Sequence, residues 1–277
     1  MSMMCFGDKS LDLSLPHIMG ILNVTPDSFS DGGMFVNFDR ALAHVELMIN
    51  DGATMIDVGG ESTRPGADFV SLSEELDRVV PVVEAIKARF DVVVSVDTSQ
   101  AEVMIESALV GAGLINDVRA LSKDGALAAA VKTQLPVCLM HMQGAPNTMQ
   151  KNPRYESVVE EVFGYLNDRA YECISSGVLP NNIILDPGIG FGKTKDHNLI
   201  LLNQLDKLVN LKWPVLVGAS RKTLIGDVLN RPVEDRLFGS LGIHASSFER
   251  GASIFRVHDV RSHADLLTMM SRIKQEF

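Results

Sequence analysis

The sequence is short of cysteine, of positive charge and of long apolar runs, and each shortage closes off a class of protein. Its three cysteines, Cys5, Cys138 and Cys173, are an odd number without metal-ligand spacing. Neither a disulfide framework nor a structural zinc site is supported, and the three read as reduced, buried thiols. Lysine and arginine number 25 against 35 aspartates and glutamates, a net charge of -10 with a pI near 5.1. That balance argues against a nucleic-acid partner, which needs a basic face, while leaving local basic residues free to bind a small anion. No apolar run approaches the ~20 residues of a membrane span, and no basic start followed by a long apolar stretch marks export. The expectation is a cytoplasmic protein with no membrane contact. Nothing linker-like or of low complexity interrupts the 277 residues, and 46% hydrophobic content is ample for one large core. The chain therefore reads as a single domain over 1–277, with 1–15 as an N-terminal appendage.

What is present is one phrase repeated: a short apolar run that stops at a polar residue, followed by helical spacing. HIMGILN runs from His17 to Asn23 and leads into TPDSFSDGG, too polar and glycine-rich for an element. Leu42, Val45 and Ile49 space as a helix over 38–51, Gly52 ends it, and a strand at 55–58 leads to GGESTRPGA. The same reading gives a helix from Ser73 to about Phe90 and a strand at 92–96 before Asp97. It continues with a helix at 101–110 and a strand ending at Asn116, then a helix at 125–133 and PVCLM before His141. A long helix at 155–176 precedes IILD, a helix at 197–210 precedes PVLVG, and a helix at 234–250 precedes SIFRV, with a last helix at 264–274. About eight strand–helix units close a (β/α)8 TIM barrel. An open doubly wound sheet competes, because strand order cannot be read from sequence.

The stretch IILDPGIGFGK concentrates the functional signal. Pro187 cannot donate a sheet hydrogen bond, so the strand finishes near Asp186 and leaves a carboxylate at its tip. Gly188, Gly190 and Gly192 let backbone approach a ligand, although Asp-Pro-Gly is equally ordinary turn chemistry, and both readings stay open here. Asn23, Asp97, Asn116, His141, Ser220-Arg221-Lys222 and Arg256 with His258 fall likewise at or just past strand ends, the face where barrel enzymes build their sites. Each could separately cap a loop or sit in the core. Together they would leave uncompensated charge unless a polar ligand, or one another, satisfied them.

These segments carry a resemblance. NVTPDSFSDGG at 23–33, GGESTRPGA at 59–67, SVDT at 95–98, IND at 115–117, MHMQG at 140–144, DPGIGFGK at 186–193, SRK at 220–222 and RVHD at 256–259 stand in the order of the dihydropteroate synthase family. The likeness runs from Ile18 to Val260. It implies a (β/α)8 barrel that joins p-aminobenzoate to 6-hydroxymethyl-7,8-dihydropterin pyrophosphate, releasing pyrophosphate and forming 7,8-dihydropteroate for folate synthesis. Sulfonamides compete with p-aminobenzoate in that family, and family likeness implies a homodimer. Two positions depart from common family choices, Arg119 where a small residue is frequent and Ala145 where threonine is.

The resemblance implies roles that suit the residue types. A pterin edge offers a fork of N–H donors that a carboxylate can accept, which points to Asp186, with Asp97 and Asn116 completing the seat and Lys222 donating to the carbonyl edge. Thr63, Arg64, Arg256 and His258 would hold the pyrophosphate, with Asn23 offering its amide oxygen to Mg2+. Phe29, Pro65, Phe191, Ser220 and Arg221 resemble the p-aminobenzoate pocket; Phe29 and Phe191 could also be plain core. In a dissociative substitution the main task is stabilising the leaving group, so Asp31, Arg64, Lys222, Arg256 and His258 are the catalytic candidates. The loops at 25–33 and 61–67 would close over the mouth and exclude water. A methyltetrahydrofolate-type methyltransferase binds a pterin but handles no pyrophosphate, so Arg64, Arg256 and His258 favour the synthase. A homologue that only binds pterin would be expected to show decayed loops, whereas TPDSFSDGG and STRPG are complete.

Overall fold

A computed structural model describes residues 3–24, 33–61, 70–144 and 148–275, with backbone alone for 33–37. It opens with an antiparallel hairpin, β1 (Met3–Phe6) and β2 (Lys9–Asp12). The repeat then runs β3 (His17–Asn23), α1 (Gly33–Asn50), β4 (Met55–Gly59), α2 (Leu72–Arg89), β5 (Val93–Asp97), α3 (Ala101–Leu109), β6 (Leu114–Asp117) and α4 (Ala126–Thr133). It continues with β7 (Val137–Met140), α5 (Val158–Ser175), β8 (Ile183–Asp186), α6 (Lys195–Asn203), α7 (Leu205–Val209), β9 (Leu216–Val217), α8 (Thr223–Leu229), α9 (Leu237–Glu249), β10 (Ile254–Val257) and α10 (Val260–Gln275). The parallel strands lie in the order β8-β7-β6-β5-β4-β3-β10-β9. A parallel bridge between Leu185 and Val215 brings the two ends of that sheet together, with Leu185 N–H donating to Pro214 O at 2.9 Å. The sheet is therefore wound round on itself as a (β/α)8 barrel, and the open-sheet alternative falls away.

Alternation along each strand builds the inside of the barrel. Met19, Met55, Val93, Leu114, Cys138, Ile184, Leu216 and Ile254, one from each barrel strand, form a single apolar cluster. Met4, Phe6 and Leu13 of the N-terminal segment join the same cluster, all buried. Residues 3–13 are thus a plug packed onto the amino-terminal end of the barrel. A wound sheet leaves its bottom layer of side chains open to water at that end, and four-residue strands suffice to cover it. The hairpin is seated on backbone: a Cβ on Gly113 would lie 2.7 Å from Phe6 O.

Other differences have local causes. β9 spans two residues where five were expected, because Pro214 has no N–H and serves only as an acceptor. The helix expected at 197–210 is two helices, α6 and α7, and α6 starts earlier because Thr194 and His197 form a reciprocal capping pair. α8 fills a stretch to which the sequence pattern assigned no element. Cys138 and Cys173 are buried free thiols as expected, while Cys5 is exposed.

Candidate active site

Two residues beyond the apolar layer, each strand points inward again, and the chemistry changes. That step lands on Asp57 in β4, Ser95 in β5, Asn116 in β6, Asp186 in β8 and Arg256 in β10, and one further step in β5 lands on Asp97. Register sets Asp57 beside Ser95, and Gly59, Asp97 and Asn116 in a row. Five strands thereby bring their polar residues to the carboxyl end of one barrel.

Arg256 is the hub. Its Nε donates to Asp57 Oδ2 at 2.6 Å and its Nη2 to Asp97 Oδ2 at 2.9 Å. Asp57 has no exposed surface and also accepts from Ser95 Oγ at 2.6 Å and Asn116 Nδ2 at 3.1 Å. Burial works against the guanidinium charge, but Asp57 and Asp97 outweigh it and raise the Arg256 pKa above its ordinary value. Burial lifts Asp97 to about 7, with Arg256 pulling it down and Asp57 pushing it up.

Across the mouth stands the second carboxylate group. Asp186 Oδ1 accepts the Gly188 N–H at 2.7 Å, while Oδ2 accepts no hydrogen bond from any described residue. Burial raises the Asp186 pKa, and Lys222 opposes the shift. Lys222 donates from Nζ to Ile189 O and lies 4.5 Å from the centre of the Phe191 ring. Burial brings Lys222 down to about 8, with Asp186 resisting and Arg256 adding to the fall. The turn after Asp186 touches the segment just past β7 backbone to backbone: a Cβ on Gly188 would sit 1.9 Å from His141 O, and its φ is +66°. Only glycine fits there. One Asp186 oxygen ties the turn, as the turn reading of this stretch expects, and the other is left without a partner among the described residues. The result is a buried cluster with an acceptor and a donor on each side, suited to a flat heterocycle carrying both.

The rim is polar as well. Ser220 Oγ accepts the His258 N–H at 3.2 Å and lies 3.1 Å from His258 Nδ1. Arg221, at φ +56°, forks onto Asp259, with Nε donating to Oδ2 at 2.8 Å and Nη2 to Oδ1.

Residues 19–258 match the sequence pattern of the family described as pterin binding enzyme. The dihydropteroate synthase of Haemophilus influenzae is 56% identical over 260 residues, 94% of each chain, and that of Escherichia coli K12 is 55% identical over 261 residues, 94% of this chain and 93% of the other. The crystal structure of the Yersinia pestis dihydropteroate synthase with a sulfonamide drug complex superposes with a TM-score of 0.94 at 50% identity, covering 99% of both chains. The chain belongs to the dihydropteroate synthase family of pterin binding enzymes.

The family membership gives the constellation its frame. Asp97, Asn116, Asp186, Lys222 and Arg256 meet at the mouth, with Phe191 beside Lys222 and Ser220 and His258 paired on the rim. Arg221 reaches outward to Asp259. Asn23 stands exposed at the tip of β3, level with Gly59. Phe29, Asp31, Thr63, Arg64 and Pro65 lie outside the described residues. His141, grouped by sequence with the strand-end polar residues, is buried against Tyr155 and Tyr165 instead of facing the mouth. Sequence reading missed Asp57 and Ser95, which sit inside strands and not at their tips. The available signal was an aspartate in the apolar run MIDVG at the same inward parity as Met55, a buried charge that demands a partner. Arg119, the unusual position, donates to Ser99 Oγ at 2.8 Å and lies 3.6 Å from Glu61, joining two loops beside the mouth.

Proposed function

We propose that this mouth is the catalytic centre of a dihydropteroate synthase, joining p-aminobenzoate to 6-hydroxymethyl-7,8-dihydropterin pyrophosphate with release of pyrophosphate. The observation that carries the reading is the pair of opposed walls: Asp186 with an open oxygen beside Lys222, facing Asn116 and Asp97 held by Arg256 and Asp57. The pterin's paired N–H edge donates to Asp186, and its carbonyl edge accepts from Lys222. Asp57 touches no ligand in this scheme; it keeps Arg256 charged and aimed while Asn116 is held by the same carboxylate.

As the bond to pyrophosphate breaks, negative charge grows on the leaving group, and the N–H groups of Arg256 not engaged by Asp57 and Asp97 face that charge with His258, Thr63 and Arg64. An arylamine is uncharged near neutrality, so no strong base is required for its attack on the exocyclic carbon. Phe29, Pro65, Phe191, Ser220 and Arg221 bound the p-aminobenzoate side, and Asp31 and Arg64 close with the loops. Among the described residues no group of three or more histidine, cysteine or carboxylate side chains could hold a metal. A Mg2+ ion would be held through the exposed Asn23 amide oxygen together with waters and ligand oxygens, and would supply neutralisation of phosphate charge. No described helix is long and apolar enough to cross a membrane, in keeping with a cytoplasmic site of action. A homodimer is supported by the outer faces of α6, α8 and α9, which expose Leu199, Ile200, Val228, Leu229 and, at 82%, Phe238.

The test is direct. Purified protein with both substrates and Mg2+ should release pyrophosphate and form 7,8-dihydropteroate; folded protein that forms neither refutes the assignment.

A further inference from the structure

The turn after β8 contains a charged group that the scheme above leaves unused. Lys193 closes the DPGIGFGK segment with only 3% of its surface exposed. A lysine at that depth requires partners. Its Nζ donates to Gly188 O and Phe191 O, each at 2.9 Å, and to His141 O at 3.2 Å, and lies 3.0 Å from His141 Nδ1. An ammonium has no lone pair, so His141 Nδ1 is the acceptor in that contact. Burial, and then the charge of Lys193, lower the His141 pKa to about 3, which leaves the ring neutral and able to accept. Burial draws Lys193 itself down to about 7, with Asp186 resisting and Lys222 adding to the fall.

The carbonyls gathered here belong to the wall of the pterin seat. Gly188 supplies the N–H that fixes Asp186, Ile189 supplies the carbonyl that receives Lys222, and Phe191 supplies the ring beside it. Close backbone packing forces the convergence: a Cβ on Gly192 would lie 2.4 Å from Gln143 O, next to the still tighter approach at Gly188. Three carbonyl oxygens turned toward one point repel one another, and a cation with several donors removes that repulsion. We propose that Lys193 is a positioning residue of the synthase reaction, its ammonium gathering the His141, Gly188 and Phe191 carbonyls and so holding the turn that aims Asp186 and seats Lys222. This rests on the reading that the mouth binds a pterin. Other bonds anchor the turn without charge: Asn198 Oδ1 accepts the Gly190 N–H at 2.8 Å and Tyr155 O–H donates to Gly192 O at 2.8 Å. Loss of the ammonium therefore loosens the turn locally and leaves the barrel folded.

Lys193→Met keeps length and removes charge and donors, and Lys193→Gln restores an uncharged donor. Each is compared with the wild-type protein by calorimetry with 6-hydroxymethyl-7,8-dihydropterin pyrophosphate, by turnover, and by hydrogen exchange. The expectation is a loss of pterin affinity of about tenfold or more in the Met variant, with a parallel fall in kcat and little change in KM for p-aminobenzoate. Amides at 188–192 should exchange faster while those of β3, β4 and β5 do not change. Wild-type affinity and local exchange in the Met variant would overturn the proposal, as would faster exchange throughout with pterin affinity retained, the signature of a role in stability alone. Should both variants fail to fold, the wild-type protein labelled with 15N-lysine decides: a protected Lys193 ammonium signal must shift on addition of the pterin, and one that does not shift overturns the clamp. A wild-type protein that binds pterin yet forms no dihydropteroate would refute the synthase assignment while these local readouts still judge Lys193.

Discussion

Replacing Asp57 by asparagine tests the hub of the site, because this side chain is fully buried and meets three donors at once. Arg256 Nε, Ser95 Oγ and Asn116 Nδ2 all point at its oxygens, at 2.6, 2.6 and 3.1 Å. An amide of the same shape removes the charge and places an N–H2 among those donors. Ser95 can rotate its hydroxyl and accept instead, but a guanidinium and an amide N–H2 cannot. Breaking a buried ion pair costs about 3–5 kcal/mol, and Arg256 retains Asp97, so the lower part of that range applies here, about 3 kcal/mol. At an unfolding entropy of about 2.1 cal/mol/K per residue, that is a fall of roughly 5 °C in Tm. Pterin affinity should fall as well, because both Arg256 and Asn116 lose their common anchor. A cycle with Arg256→Met should show coupling on the order of 2 kcal/mol, since either change alone strands the other partner. Thermal unfolding and calorimetry on the four proteins measure this. A single variant within about 1 °C of wild type, or costs that add to within about 0.5 kcal/mol, would refute the argument that the pair acts as one unit.

Asp186→Asn should weaken pterin binding by about 2–4 kcal/mol without unfolding the protein, because an amide meets a two-donor edge with one acceptor and one donor; calorimetry with the unphosphorylated pterin checks it. Lys222 loses its proton as pH rises through about 8, so turnover should decline on the alkaline side. Asp186 raises the Lys222 pKa, so in Asp186→Asn the alkaline limb should move to lower pH, and a limb that stays in place or moves up contradicts the coupling. Phe6→Ala should cost about 3–5 kcal/mol, the usual loss for a buried phenylalanine, whereas a free N-terminal tail predicts no change in Tm. Phe238→Asp should convert a dimer to monomers in sedimentation at micromolar concentration, and an unaltered sedimentation coefficient would take that face out of the assembly.

Much of this molecule was settled by local sequence. Pro187 after Asp186 ends a strand whatever surrounds it, since the missing N–H is a covalent fact, and the glycines at 188 and 192 anticipate the close backbone approach found just past β7. Apolar runs ending in Asn23, Asp97, Asn116 and Asp186 identified the strands and the face that carries the polar groups, and segment order identified the family. Tertiary structure alone decided which charges meet. Asp57 and Arg256 are 199 residues apart, and only winding the sheet until β10 lies beside β3 gives the buried aspartate its cation. The same holds for the hairpin at 3–12, whose short strands become a plug only when the barrel offers an open end, and for His141, drawn from the strand-end group into a cradle with Lys193. Strand ends follow from local rules of backbone geometry, whereas the partner of a buried charge is set by closure of the whole sheet.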